Sequence, residues 1–163
     1  MEREDLFSLA DLEGKHILDV GAGPFAALAA QDHGCRVTCI DTDAEKLEEY
    51  RQEAEESGVG HLVHFEEADG LRLPYGDSTF DAVVSYGTLH HIPSHERERF
   101  LKEMARVAEI VIVVEFTEKG FPHTDDEFSR VDLAWLKEAL AGIRDEGNLQ
   151  VAGDDTASAY VLS

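Results

Sequence analysis

The chain has little cysteine, few basic residues and no long apolar run. Its 163 residues contain 2 cysteines and 14 basic residues against 35 acidic ones, for a formal net charge of −21. No apolar run approaches the roughly 20 residues of a membrane span, and the acidic N-terminal stretch lacks a signal-peptide core. We therefore expect a cytoplasmic protein that does not span a membrane, folded as one domain over residues 1–163.

The two cysteines, Cys35 and Cys39, fall on one expected strand. At a rise of roughly 3.3 Å per residue they are too far apart for a disulfide, so we predict buried thiols. Neither a further cysteine nor a histidine spacing completes a ligand set, and we predict no bound metal. The scarcity of bases argues against unaided nucleic-acid binding, because phosphates need cations. An acidic surface this poor in lysine is typical of proteins adapted to high salt.

Apolar runs alternate with helical patterns, which predicts an α/β fold with a mostly parallel sheet and helices on both faces. Two short C-terminal strands, NLQVAGDD and SAYVLS, leave no room for a helix between them and should pair antiparallel. The expected sheet therefore has seven strands. The first five expected strands lie within residues 16–20, 35–41, 61–69, 80–85 and 109–116, and the expected helices lie within residues 2–12, 25–33, 44–58, 94–106 and 129–142.

A glycine turn stands between the first strand and its helix, in HILDVGAGPFAALAA at residues 16–30. The spacing Gly21-x-Gly23-x-x-Ala26 fits a dinucleotide fingerprint, while Asp19-x-Gly21-x-Gly23 is a competing pattern in which Phe25 replaces a third glycine. A third interpretation is a strand–helix turn that binds no ligand and needs the same glycines for close packing. Asp41 ends the second strand, where a carboxylate can accept both hydroxyls of a ribose, and this feature is shared by both kinds of cofactor site.

Three features favour a cofactor without phosphates. Asp19 precedes the turn, where a carboxylate would repel a pyrophosphate but suits a cationic amino group and sulfonium. Asp69 ends the third expected strand and can accept a hydrogen bond from an adenine amine. The C-terminal hairpin does not belong to a dinucleotide-binding domain.

On these residues, and on EADGLRLPYGDSTFDAVVSYGTLHHI, the sequence resembles the class I S-adenosylmethionine-dependent methyltransferases. The last stretch is similar to the subgroup of quinone-biosynthesis and wobble-uridine tRNA methyltransferases. The resemblance implies a Rossmann-like sheet, with a short N-terminal helix in 1–14, a cofactor-binding half in 15–116, and a C-terminal helix and hairpin in 117–163. It implies S-adenosyl-L-methionine as cofactor and methyl transfer to a small-molecule acceptor by in-line displacement. The implied cofactor-binding residues are Asp19, Gly21, Ala22, Gly23, Asp41, Thr42, Asp69, Gly70, Ser85 and Tyr86.

His90 and His91 follow the fourth strand, at the edge where acceptors lie in this fold, and we predict them as catalytic residues. One of them can remove an acceptor proton near neutral pH, or both can have packing roles only. Glu115 borders the same edge, either as a pocket residue or as a buried, hydrogen-bonded acid. Residues 116–128, with three phenylalanines, offer only a small lid. We therefore expect an open acceptor site, covered by a large acceptor, a partner protein or a second copy of the chain.

Three other functions stay open. A catalytically silent regulatory or scaffold subunit would follow if Phe25 narrows the pocket and prevents cofactor binding. A tRNA-modifying methyltransferase would need a basic partner protein to offset the acidic surface. An NAD-dependent enzyme is the third alternative, on the glycine pattern alone.

Overall fold

The computed structural model describes residues 1–126, 129–144 and 148–163. Its described part forms a seven-stranded sheet in the order β3-β2-β1-β4-β5-β7-β6. Strands β1 to β5 are parallel, and β7 runs antiparallel between β5 and β6. The strands are β1 His16–Val20, β2 Arg36–Asp41, β3 Val63–Glu67, β4 Phe80–Tyr86, β5 Ala108–Phe116, β6 Leu149–Gly153 and β7 Ala157–Leu162.

The sheet confirms the predicted fold class and the antiparallel C-terminal hairpin. The sequence did not predict the position of β7 in the sheet. It lies between β5 and β6 and pairs with both. The strand order reverses beside β1, which lies between β2 and β4. At such a point the helices on either side diverge and leave a crevice at the carboxyl ends of the strands.

The helices begin and end where the sequence supplies local signals. The carboxylate of Asp43 accepts hydrogen bonds from two backbone N–H groups in the first turn of the third helix, at 3.0 and 3.2 Å. Asp132 caps the fifth helix in the same way, and Gly34 ends the second in a left-handed conformation. The helices are α1 Leu6–Leu9, α2 Phe25–His33, α3 Ala44–Glu56, α4 Arg97–Val107 and α5 Leu133–Ile143.

Three predicted helices begin later than expected. The stretch 2–12 contains only a 3₁₀ turn, Arg3–Asp5, and the single turn α1. The expected helix 94–106 begins with a separate 3₁₀ turn before α4. Helix α5 starts at Leu133 rather than at residue 129, because Asp132 provides the cap that satisfies the first free N–H groups.

The core divides into one apolar cluster on each face of the sheet. One cluster includes buried side chains of α2 and α3, and the other includes those of α4 and α5. Cys35 and Cys39 are free and buried, as predicted. Within the described residues, no helix has the length and apolar character needed to cross a membrane.

Candidate functional site

A cavity of about 530 Å³ opens at the carboxyl ends of β1, β2 and β4, beside the point where the strand order reverses. Its wall brings together all the sequence-predicted site residues except Ser85. Those that line it are Asp19, Gly21, Ala22, Gly23, Asp41, Thr42, Asp69, Gly70, Tyr86, His90 and His91.

Three carboxylates reach this cavity from three neighbouring strand ends. Asp19, the residue before the last one of β1, is buried, whereas Asp41 at the end of β2 is partly exposed and Asp69 after β3 is exposed. Asp41 ties its own loop together, since its Oδ2 accepts from the N–H of Ala22 and its Oδ1 from that of Asp43, both at 2.9 Å. These two contacts leave further lone pairs on both oxygens of Asp41, which lines the cavity.

The glycine turn is held by contacts that only glycine permits. Gly21 has φ +99° and donates its N–H to the carbonyl of Ile40 at 2.8 Å. A Cβ at Gly21 would lie 2.3 Å from Oγ1 of Thr88, whose hydroxyl donates to the carbonyl of Val20 at 2.9 Å. Thr88 therefore shapes the turn from the loop after β4, a role for which the sequence offered no signal.

Phe25, which replaces the third glycine, packs into the core. Pro24 stands at the N-cap position of α2 and Phe25 is the first helical residue. The ring of Phe25 is 1% exposed and stacks on that of Phe7, with ring centroids 5.8 Å apart. The substituted position therefore starts the helix and anchors the N-terminal segment on it.

Burial dominates the electrostatics of Asp19 and raises the pKa of its carboxyl to about 8. Arg3 opposes this shift by attraction, and the thiol of Cys39 lies 3.8 Å from Oδ2 of Asp19. The Arg3 guanidinium also lies 4.2 Å from the ring centroid of Tyr86 and lines the cavity. Sequence reasoning missed Arg3, because only the fold brings the N-terminal segment across the strand ends.

His90 is a buried residue with both ring nitrogens in contact with carboxylates. Its Nδ1 lies 3.1 Å from Oε2 of Glu115, and its backbone N–H donates to Oε1 of the same residue at 3.0 Å. Its Nε2 lies 2.9 Å from Oδ2 of Asp125. Burial lowers the pKa of His90, but the two carboxylates outweigh it and hold that pKa above its ordinary value. Glu115 was expected to be either a pocket residue or a buried, hydrogen-bonded acid, and the structure supports the second alternative.

His91 completes what we call the histidine cluster, which consists of His90, His91, Glu115 and Asp125. The His91 side chain is 62% exposed, and its Nε2 lies 3.9 Å from Oδ2 of Asp125. Partial burial and the neighbouring His90 lower the pKa of His91. Asp125 is far from the histidines in the sequence and was not among the predicted site residues.

The surroundings of the cluster fix the loop that carries it. Arg97 donates from Nε to the carbonyl of Ile92 at 3.0 Å and from Nη2 to that of Ser129 at 2.6 Å. Phe116 and Phe121 meet the His90 ring edge-on, with centroids 5.8 and 5.1 Å away. Two of the three phenylalanines of the expected lid therefore pack on the cluster; Phe128 falls outside the described residues.

The side chain of Ser85 does not line the cavity, and the role expected for Ser85, with its backbone beside the sulfonium, stays a prediction. Its side chain is 0% exposed, and its Oγ has no hydrogen-bond partner within the part of the chain that the structure describes. Side chains alternate along a strand, so Tyr86 reaches the cavity while Ser85 is directed to the other face of the sheet.

This fold, with its glycine turn and three acidic strand ends, defines the class I S-adenosylmethionine-dependent methyltransferase architecture. A family described as "Methyltransferase domain" matches residues 17–109 of the chain. The chain therefore belongs to the methyltransferase domain family.

Relatives and solved structures agree with this assignment. Phosphatidylethanolamine N-methyltransferase of Cereibacter sphaeroides is 37% identical over 112 residues, which are 66% of this chain and 54% of that protein. The 27-O-demethylrifamycin SV methyltransferase of Amycolatopsis mediterranei is 34% identical over 96 residues, 58% and 35% of the two chains. This chain thus matches about a third to a half of the length of its curated relatives.

Two solved structures share the fold at low identity. A SAM-dependent methyltransferase from Aquifex aeolicus has a TM-score of 0.79 at 17% identity, covering 99% of this chain and 88% of that one. Magnesium protoporphyrin IX methyltransferase of Synechocystis PCC 6803 with bound SAH has a TM-score of 0.76 at 18% identity, covering 98% and 78%.

Proposed function

We propose that this protein transfers the methyl group of S-adenosylmethionine to a small-molecule acceptor, by in-line displacement at the methyl carbon. The observation that carries the proposal is the convergence of Asp19, Asp41 and Asp69, from three strand ends, on one cavity. These groups suit a cationic adenosine derivative, because each can accept hydrogen bonds or face positive charge.

The cavity fits this cofactor better than a dinucleotide. A cationic ligand favours the ionised form of buried Asp19, whereas a pyrophosphate would face a carboxyl at the place where dinucleotide sites offer free N–H groups. A side chain at position 21 would clash with Thr88, so the backbone of the turn itself forms the wall beside the ligand.

Each wall residue has a distinct binding role in this proposal. Asp41 accepts the two ribose hydroxyls while its backbone contacts keep the carboxylate in place. Asp69, held by the N–H of Leu71 at 2.9 Å, accepts from the adenine amine. Arg3 and Asp19 face the amino-acid end, where Arg3 supplies a partner for a carboxylate and Asp19 one for an ammonium group.

The acceptor lies at the other end of the cavity, between Tyr86, Phe116 and the histidine cluster. When bound, the cofactor supplies a methyl group on cationic sulfur, which is already a strong electrophile. The protein's own task is to hold the acceptor atom in line and, for a protonated acceptor, to remove its proton. We place proton removal at the exposed edge of the cluster, where His91 and Asp125 meet the cavity.

A small acceptor is favoured over RNA by the surface charge. The net charge of −21 repels phosphates unless a basic partner or high salt intervenes. The matching relatives bear names that specify a phospholipid headgroup amine and a rifamycin oxygen as acceptors of those proteins. Both are consistent with a site that receives compounds of moderate size.

Isothermal titration of the full chain with S-adenosylmethionine tests the proposal. We expect micromolar binding with competition by S-adenosylhomocysteine and no heat from NADH. No binding at millimolar cofactor would instead support a catalytically silent scaffold. Product analysis after incubation with labelled cofactor, a panel of amines and hydroxyl compounds, and bulk tRNA then separates small acceptors from RNA.

A further inference from the structure

The histidine cluster has the composition and geometry of a metal site that the sequence spacing did not predict. Nε2 of His90, a ring nitrogen of His91 and a carboxylate oxygen of Asp125 all lie within 4.8 Å of one another. The separation is 2.9 Å between His90 Nε2 and Asp125 Oδ2, and 3.9 Å between His91 Nε2 and the same oxygen. Ligands about 2.0–2.2 Å from one ion stand roughly 3 to 3.5 Å apart, so the exposed His91 side chain has to move toward the other two ligands to complete the site.

We propose that His90, His91 and Asp125 bind one divalent transition-metal ion of the zinc type. Two imidazoles and one carboxylate form a ligand set that such ions prefer, while magnesium and calcium prefer oxygen. Three protein ligands leave coordination positions open, and all three ligand residues line the cavity.

Glu115 supports this assignment from behind His90. It accepts from the His90 backbone and contacts Nδ1, so that Nε2 is directed at Asp125. A ring nitrogen held by a buried carboxylate, with the other nitrogen directed at the ion, is the arrangement that orients metal-binding histidines. Both side chains are 1% exposed, and the edges of Phe116 and Phe121 hold the ring.

The catalytic role of this ion rests on the proposed function. An acceptor hydroxyl that takes an open position on the ion releases its proton to water more readily, because the ion stabilises the resulting oxygen anion. His91 and Asp125 would then assist proton removal as ligands of the ion.

Metal binding is measured on the metal-depleted full chain without cofactor. We expect one Zn²⁺ per chain by calorimetry, and visible d–d absorption when Co²⁺ is added. Asp125→Asn and His91→Ala should each lower the affinity at least about tenfold, and Glu115→Gln by about 10- to 100-fold through loss of ring orientation. The matched control is His64→Ala, which removes an exposed imidazole 3.8 Å from Glu66 and should change nothing.

The proposal is overturned if the wild-type chain binds neither ion, or if Asp125→Asn and His91→Ala bind them as the wild type does. An equal loss in His64→Ala would also overturn it, because binding would then be distributed over surface histidines. Titration of Asp125→Asn with S-adenosylmethionine is independent of these results. Cofactor binding that persists where metal binding is lost separates failure of the metal site from failure of the methyltransferase proposal.

Discussion

Asp19→Asn tests the idea that a buried acid is kept for ligand binding at the expense of stability. Burial raises the pKa of Asp19 from 3.8 to about 8, with Cys39 and Asp41 nearby and with Arg3 and Lys46 as the opposing cations. Between these two values the folded state retains a proton that the unfolded state has released. Stability therefore falls by up to about 1.4 kcal/mol per pH unit in that window, and is constant above it.

At pH 7 the accumulated destabilisation is about 4 kcal/mol at most, and an asparagine does not incur it. We expect Asp19→Asn to be more stable than the wild type in urea unfolding, with an advantage that grows between about pH 4 and about pH 8. Asp32→Asn is the matched control, because Asp32 is exposed on α2 and should show no such trend. Parallel pH profiles for the wild type and Asp19→Asn would refute the reasoning.

The same substitution should weaken cofactor binding. A cationic ligand binds the ionised form of Asp19, so wild-type affinity for S-adenosylmethionine should rise by up to about tenfold per pH unit below pH 8 and then level off. Calorimetry in buffers of different ionisation heat would detect the proton released on binding. In Asp19→Asn we expect weaker and pH-independent affinity; an affinity equal to that of the wild type would place Asp19 outside the binding site.

Further outcomes follow from the cavity wall and from the surface. Asp41→Ala should weaken S-adenosylmethionine binding more than Asp69→Ala, since Asp41 also anchors the N–H groups of Ala22 and Asp43; calorimetry that finds neither variant impaired would contradict the site. Gly21→Ala should lower the free energy of unfolding by roughly 1–3 kcal/mol. Adding Thr88→Ala should restore only part of that stability, because the backbone at position 21 still has a positive φ, and full recovery would contradict this reasoning. Circular dichroism should show loss of structure on transfer from molar salt to none, because the net charge of −21 is then unscreened, and an unchanged spectrum would exclude the high-salt interpretation.

Local sequence patterns determined the fold class and indicated most of the residues that line the candidate site. Hydrophobic runs predicted all seven strands, because the pattern of buried residues in a strand depends only on a few neighbouring residues. The glycine turn and the acidic strand ends were readable for the same reason, since parallel strands bring their carboxyl ends to one edge. Helix ends were less accurate, and α5 began only where Asp132 could cap it.

Tertiary structure alone decided the remaining features. It placed β7 between β5 and β6, brought Arg3 over Tyr86, set Thr88 against Gly21, and turned Ser85 away from the cavity. It also brought Asp125 to His90 across a long stretch of chain. These contacts depend on how separate elements pack and not on any local period, which is why the sequence by itself indicated the candidate pocket but not the full histidine cluster beside it.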